Sequence, residues 1–369
     1  MNSDVYILGF SAFPGIGTIR FEQLINEFGT PEKAWNASRS DLISVLKEAV
    51  GTQFDEFRKD FNLKKYAEEV EQKHIHYFIP QDKEYPKLLR QLSHPPFILF
   101  AKGNRNVLQE EKTIGIVGTR KVTDYGQQVT EMLVRDLVAQ GFTIVSGMAL
   151  GVDGVAHRET IKNGGSTIAV LGSGVDFPTP REHSNLYTDI LENNGLIVST
   201  FSPGEVPQKG SFPARNATIA GFSQGIVVTE GAESSGALIT ANYAKKFGRP
   251  VFSVPGQITS QLSIGTNNLI KQGAIAVSSV QDILDSVGIM TVQKTQKLGN
   301  SDSQNIRKSD NPDELSILSI LEQNGPLHFD EIVRTIGKDS RSVGSILSLM
   351  ELKGMTKSGS DGKYFINEK

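Results

Sequence analysis

No cysteine occurs in the 369 residues, which excludes disulfide staples and thiolate-held zinc and with them the folding logic of small secreted domains. An intracellular compartment is the expectation. Long apolar runs are missing as well: nothing approaches the roughly 20 residues of a membrane span, and the longest uncharged stretch, 250–270, is broken by Pro, Gly, Ser, Gln and Asn. Residues 1–13 carry one Asp and no Lys or Arg, the wrong charge for a signal peptide's basic start. The chain is therefore read as cytoplasmic. A global basic field is the third absence. There are 38 Lys and Arg against 41 Asp and Glu, a net charge of -3, and acidic residues outnumber basic ones in each of the segments 1–73, 106–290 and 311–369. Any phosphate-binding surface has to be a local arrangement. The Gly-x-x-x-x-Gly-Lys-Ser/Thr string of a P-loop occurs nowhere, and neither does a Gly-x-Gly-x-x-Gly fingerprint after the first strand of the central region. ATP in a P-loop is excluded, NAD is disfavoured, and no cofactor is expected.

What is present divides the chain into parts, and its length suits two or three domains. Residues 1–75 read as short helices. There Phe13-Pro14-Gly15-Ile16-Gly17 precedes an amphipathic run with Ile19, Leu24, Ile25 and Phe28 that closes at Gly29, a suitable helix C-cap. The turn is either a helix-hairpin-helix that meets a phosphate or a plain helical hairpin. Residues 76–290 begin with a connector, Tyr85-Pro86, Pro95-Pro96 and apolar 97–100. From Thr113 short apolar runs at 113–117, 142–145, 167–171, 196–199, 226–228 and 251–254 alternate with helical patterns at 126–138, 152–162, 185–191 and 236–246. That alternation predicts an α/β domain, a doubly wound parallel sheet covered on both faces. Residues 291–312 are polar and read as a flexible linker. Residues 313–369 hold three helical patterns and a hairpin around Gly359 and Gly362, the pattern of a winged helix.

In an open parallel sheet ligands bind beyond the carboxyl ends of the strands. The residues there are small: Gly118-Thr119-Arg120, then Ser146-Gly147, then Gly172-Ser173-Gly174, and Ser235-Gly236 after Thr229-Glu230. Small residues admit a phosphate to backbone amides, and Arg120 offers a planar fork for its oxygens. Lys209, Phe212, Arg215 and Asn216 follow the fourth strand. Cations interleaved with a ring suit a single strand, the ring stacking on a base. The other account makes Phe212 a core plug and Arg215 a structural ion-pair partner, for instance of Glu230. Asp153 and His157 share a helix face, with His183 a distant third; helix capping and packing explain them without a metal.

These same strings strongly resemble the DNA processing protein A (DprA/Smf) family. They are Gly118-Thr119-Arg120; Ser146 to Asp153 with His157; Lys209 to Asn216 with Ala220-Gly221; Thr229-Glu230 with Ser235 to Ala241; and Pro255-Gly256 before Gly265-Thr266-Asn267. Gly15-Ile16-Gly17 and the run from Pro95-Pro96 to Lys102-Gly103-Asn104 extend the resemblance over nearly the whole chain. It implies an N-terminal helical domain of sterile-alpha-motif type, an extended Rossmann-like domain that binds single-stranded DNA and forms a homodimer, and a C-terminal winged helix. It further implies protection of incoming strands in natural transformation and loading of the RecA recombinase, with single-strand-binding protein as a further partner. Arg120 matches the family's phosphate-binding arginine, Lys209 its basic contact and Phe212 the neighbouring aromatic. Ala217-Thr218 stand where Arg-Ile is common, and Phe222 where Leu is usual; these departures bear on DNA affinity.

The rival class is enzymatic. Nucleoside-monophosphate phosphoribohydrolases of the cytokinin-activating (LOG) family use a similar Rossmann variant with a glutamate in a Pro-Gly-Gly-x-Gly-Thr-x-x-Glu loop, which this chain replaces with Thr229-Glu230-Gly231-Ala232-Glu233. Glu230 would then be a general base. A carboxylate at a strand end is more often structural, and the chain is read as a binding protein, not an enzyme, with nucleotide sensing as a further alternative. The recognition segment of the winged helix, 338–353, sets Lys338, Arg341 and Lys353 against Asp339 and Glu351, a balance that suits a protein partner at least as well as duplex DNA.

Overall fold

The computed structural model describes residues 4–208, 210–295, 312–353, 355–359 and 362–366. Two compact units divide it, Met1–Gln296 and Lys297–Lys369.

Six helices open the first unit: α1 (Asp4–Ser11), α2 (Thr18–Phe28), α3 (Pro31–Trp35), α4 (Arg39–Leu46), α5 (Glu48–Asp60) and α6 (Leu63–Gln72). Gly29 ends α2 at φ 82°, where its amide returns to the Ile25 carbonyl; only glycine takes that backbone without cost. Of the apolar run in α2, Phe21 and Leu24 are buried while Ile19 is exposed. Phe10 anchors the layer, with Trp35 edge-on at 5.2 Å and Phe54 stacked at 5.1 Å.

The sheet follows. Its elements are β1 (His76–Phe78), α7 (Lys87–Arg90), β2 (Leu99–Gly103), β3 (Thr113–Val117), α8 (Asp124–Ala139), β4 (Thr143–Ser146), α9 (Val152–Lys162), β5 (Thr167–Val170), α10 (Ser184–Glu192), β6 (Leu196–Ser199), α11 (Ser211–Phe222), β7 (Ile226–Val228), α12 (Gly236–Lys246), β8 (Val251–Ser253), α13 (Ile264–Lys271), β9 (Ile275–Ala276) and α14 (Val280–Thr295). Nine strands lie in the order β1-β2-β6-β5-β4-β3-β7-β8-β9. From β6 to β9 the pairs are parallel, and every residue of β3 to β8 is buried, as helices on both faces require. The doubly wound reading is correct. The apolar stretch of the connector does more than connect: Leu99, Phe100 and Ala101 are fully buried in β2, which pairs antiparallel with β6, Phe100 opposite Ser199, and with β1. This extends the Rossmann-like sheet towards the N-terminal helices, where Phe97 stacks on Phe21 at 4.3 Å and Lys73 pairs with Asp176 at 2.7 Å.

The chain winds outward from β3 to β6 on one side and returns through β7 on the other. The switch point is therefore the gap between β3 and β7.

Of the expected linker, 296–311 lies outside the described residues; α14 runs to Thr295 and the next helix starts at Pro312. The second unit holds α15 (Pro312–Asn324), β10 (Leu327–His328), α16 (Phe329–Ile336), α17 (Ser340–Leu352), β11 (Thr356–Ser358) and β12 (Lys363–Ile366). Its strands pair in the order β10-β12-β11, and Ile317, Leu321, Ile332, Val343, Leu347 and Met350 form its core. This is a winged helix, with β10 a strand that two residues of sequence do not announce. Among the described residues no helix is long and apolar enough to cross a membrane.

Candidate functional site

Beyond β3 the chain turns through Gly118-Thr119-Arg120. A Cβ at Gly118 would strike Val152 Cγ2 at 2.5 Å and the Glu230 carbonyl at 2.8 Å, so only glycine lets the turn pack on the loop after β7. The Thr119 amide donates to the Glu230 carbonyl at 2.7 Å, the Thr119 carbonyl accepts from Val152 N at 3.1 Å, and Thr119 Oγ1 accepts from Lys121 N at 3.1 Å. A turn held on three sides leaves Arg120 exposed, its guanidinium carbon 5.4 Å from the centre of the Phe212 ring. Phe212 is half-buried, so its ring is not sealed in the core.

Arg120 and Phe212 stand over a crevice of about 390 Å³ at the switch point, lined also by Gly118, Thr119, Asn216, Ser235, Gly236 and Thr240. Arg215 forms part of the lining but is 6 % exposed. Its Nη1 donates to the carbonyls of Gly147 and Val170, the latter at 3.2 Å, and its Nε donates to Asn216 Oδ1 at 3.1 Å. Glu230, the ion-pair partner that the structural account of Arg215 suggested, is not among these acceptors. The Glu230 carboxylate instead accepts from Thr123 N at 2.9 Å and Thr123 Oγ1 at 2.7 Å at the start of α8. The carboxylate that faces Arg215 electrostatically is Asp153, which also lines the crevice. Burial raises the Asp153 pKa and Arg215 opposes the rise. Burial lowers that of Arg215, Asp153 opposes, and the like charge of Arg120 adds to the lowering.

Eight sequence-selected residues meet here: Gly118, Thr119, Arg120, Phe212, Arg215, Asn216, Ser235 and Gly236. Five do not. Ser146 is sealed and donates to the Ile116 carbonyl at 2.7 Å, and Gly147 is buried against Arg215. Gly172, Ser173 and Gly174 are buried too, Ser173 donating to the Phe177 carbonyl at 2.9 Å, and a Cβ at Gly172 would lie 3.5 Å behind the Phe212 ring. These small residues allow strand ends and helices to pack closely, and they back the crevice without facing it. Lys209 lies outside the described residues. The strand-end reading passed over Ile239 and Thr240, which line the crevice from the first turns of α12; their signal was the helical spacing from Ser235.

Asp153 and His157 do not converge. His157 Nδ1 lies 2.7 Å from Thr167 Oγ1, whose proton goes to the Ile144 carbonyl at 2.9 Å, so Nδ1 is the donor and Nε2 is left without a partner. Burial, aided by nearby cations, pushes its pKa down to about 3. His183 Nδ1 donates to the Met148 carbonyl at 2.9 Å. In the winged-helix unit, Lys338 and Lys353 at the two ends of α17 are drawn to Asp313 at 2.5 Å and Glu314 at 2.7 Å on α15. Of Arg341, on the same helix, only the backbone is described.

Residues 76–288 match the family model for DNA recombination-mediator protein A, and residues 302–362 that for the DprA winged helix domain. Protein Smf of Synechocystis is 38% identical over 78% of this chain and 73% of its own length. The structure of DNA processing protein A from Streptococcus pneumoniae superposes with a TM-score of 0.66 at 31% identity, covering 77% of this chain and 97% of that one. The Helicobacter pylori protein of the same name, whose structure describes a unique single-stranded DNA binding mode, gives a TM-score of 0.51 at 31% identity over 60% of this chain and 98% of that one.

Proposed function

The chain belongs to the DNA processing protein A (DprA/Smf) family, and from that membership we propose that it binds single-stranded DNA in the crevice between β3 and β7 and hands the strand to RecA. The observation that carries the reading is the exposed Arg120 guanidinium poised over the ring of Phe212. A cation beside a partly exposed aromatic ring serves a strand whose phosphates and bases are both open, where stacking contributes about 1–3 kcal/mol per base; it does not serve a duplex, whose bases are already stacked. The likeness to the Helicobacter pylori protein supports the same ligand. Arg120, Phe212 and Lys209 are the contacts in this reading, while Arg215 and Asn216 hold the floor.

The nucleotide-hydrolase alternative asks Glu230 to act as a general base. Both acceptor contacts of that carboxylate run to Thr123 at the N-terminus of α8, where it neutralises orphan amides and the helix dipole. That occupation supports a binding role over a hydrolytic one. In the family's setting, natural transformation in the cytoplasm, the protein would act as a homodimer on strands coated by single-strand-binding protein.

The test is binding to single-stranded and duplex oligonucleotides of one sequence across a salt series. Tighter single-strand binding that weakens as salt rises, and that falls at least tenfold in Arg120→Glu with an unchanged melting curve, is the expected result. Equal affinity for duplex at matched salt would overturn the reading. On coated strands the wild type should shorten the lag of RecA filament formation and Arg120→Glu should not.

A further inference from the structure

The helices that begin along this edge of the sheet differ in what meets their first turn. At α8 it is the carboxylate of Glu230. At α9 it is Asp153, itself in the first turn, which accepts from the amide of Ala149 at 3.3 Å. α12 has no acidic residue in its first turn. Its N-cap Ser235 reaches the Ala237 amide only at 3.3 Å, and Ser235 and Gly236 face the crevice. The positive end of an eleven-residue helix therefore opens into the crevice without a counter-charge of its own.

A second observation points to the same place. Arg215 is 6 % exposed and commits Nε and Nη1 to three protein acceptors. Its Nη2 makes no hydrogen bond among the described residues and is not one of the sealed partnerless atoms, so it opens onto the floor of the crevice that Arg215 lines. The like charge of Arg120 also bears on Arg215, and Asp153 opposes it. An anion between the two guanidinium groups relieves that repulsion.

We propose that this floor receives the monoester phosphate of one nucleotide, so that the protein grips the phosphorylated end of a strand in preference to its interior. The inference rests on the crevice being a single-strand site. An internal phosphodiester carries one charge and two free oxygens; a terminal monoester carries about -1.5 to -2 at neutral pH and offers three. The amides of Ala237 and Leu238 already go to Ser235, so the donors that remain are the Gly236 amide, the serine hydroxyls and Arg215 Nη2, and a monoester has the third oxygen to meet all of them while its base turns towards Phe212. A volume of about 390 Å³ falls in the range of sites for one small ligand. A free nucleoside monophosphate presents the same chemistry.

The experiment measures the full-length protein against one short single-stranded oligonucleotide with a 5′-phosphate, a 3′-phosphate or hydroxyls at both ends, at fixed salt, with thymidine monophosphate and inorganic phosphate as competitors. A phosphorylated end is expected to bind about tenfold tighter, in line with one added charge-assisted hydrogen bond. Thymidine monophosphate should compete better than inorganic phosphate, and more strongly against the phosphorylated strand. Replacing Arg215 risks unfolding, so the variant is Gly236→Glu. A Cβ at 236 meets nothing within 4 Å, and an acid in the first turn favours the helix. The melting temperature should hold or rise while the advantage of the phosphorylated end disappears. Equal affinity of phosphorylated and hydroxyl ends in a wild type that binds strands overturns the inference and leaves the DNA reading intact. Monophosphate binding without strand binding overturns the DNA reading and keeps the receptor; no binding of either overturns both.

Discussion

Phe212 is where a single side chain separates two accounts of the crevice. If its ring stacks on a base, Phe212→Ala costs about 1–3 kcal/mol of strand affinity and leaves the salt slope unchanged, because stacking releases no counterions. Titrations at several salt concentrations together with a melting curve decide it; a variant that melts several degrees lower but binds normally would return the ring to the core. His157 gives a prediction of another kind. Its pKa is about 3 in the folded protein against about 6.5 in an unfolded chain, so between those values the unfolded state binds the extra proton. Its contribution to stability is complete above pH 6.5 and is lost as the pH falls, by at most about 1.4 kcal/mol per unit. Denaturant melts at pH 7, 6 and 5 should show a shallower acid decline in His157→Leu than in wild type, whatever the loss at pH 7. A parallel decline would show that His157 does not contribute it. Residue type marks Arg120 and Arg215 alike as cations near strand ends. It does not tell that Arg215 lies beneath the floor, because its acceptors, Gly147 and Val170, are far away in the chain and meet it only through the sheet. Gly172 to Gly174 misled for the same reason: a small residue beyond a strand serves close packing as well as it serves a ligand.

Elements were more legible than side chains, and the reason is burial. Strands β3 to β8 are covered on both faces and therefore read as mostly apolar runs, whereas β9, two exposed residues, and β10, a half-buried residue and an exposed one, leave no pattern. β2 lay in plain view as an apolar tetrad but carried no sign of pairing antiparallel with a strand far along the chain. The turn that leads into α9 shows how an element sets the site. Gly151 sits at φ 76°, and a Cβ there would meet the carbonyl carbon of Arg120 at 2.7 Å and its oxygen at 2.8 Å. Gly151→Ala should destabilise the first unit by about 1–3 kcal/mol from backbone strain alone, since φ 76° with ψ -129° is a glycine-only region, and, by displacing the turn that aims Arg120, weaken strand binding in protein that is still folded. Binding that stays at the wild-type level in the folded variant would show that the turn does not aim Arg120.

Across the whole molecule the two ends of the chain differ in how they are built in. The N-terminal helices share a core with the sheet: Phe10, Phe21 and Trp35 belong to one buried cluster with Phe97, Phe100 and Ile197. Residues 312–369 have their own core and fall in a separate unit. Truncation after residue 295 should leave the melting transition of the first unit within a few degrees and single-strand affinity within about threefold. Removal of residues 1–75 should instead expose apolar surface and yield protein that aggregates or binds a hydrophobic dye. If the N-terminal truncation behaves as well as the C-terminal one, the shared core is not needed for stability.

The antiparallel join between β2 and β6 sets a clock on biosynthesis. Gly103 and Leu196, opposite one another in that ladder, are separated by about 90 residues of chain, which a ribosome working at about 5–20 residues per second takes roughly 5–20 s to supply. Throughout that interval Leu99, Phe100 and Ala101 have emerged and have only β1 to lie against. The hairpin with β1 is all the order the nascent chain can give them, and a two-stranded hairpin is marginal in water. Newly made protein thus passes through seconds of exposed sheet edge before its fold can close, a period in which holding by a chaperone, or slower synthesis before β6, changes the yield of soluble protein without touching any contact in the finished molecule.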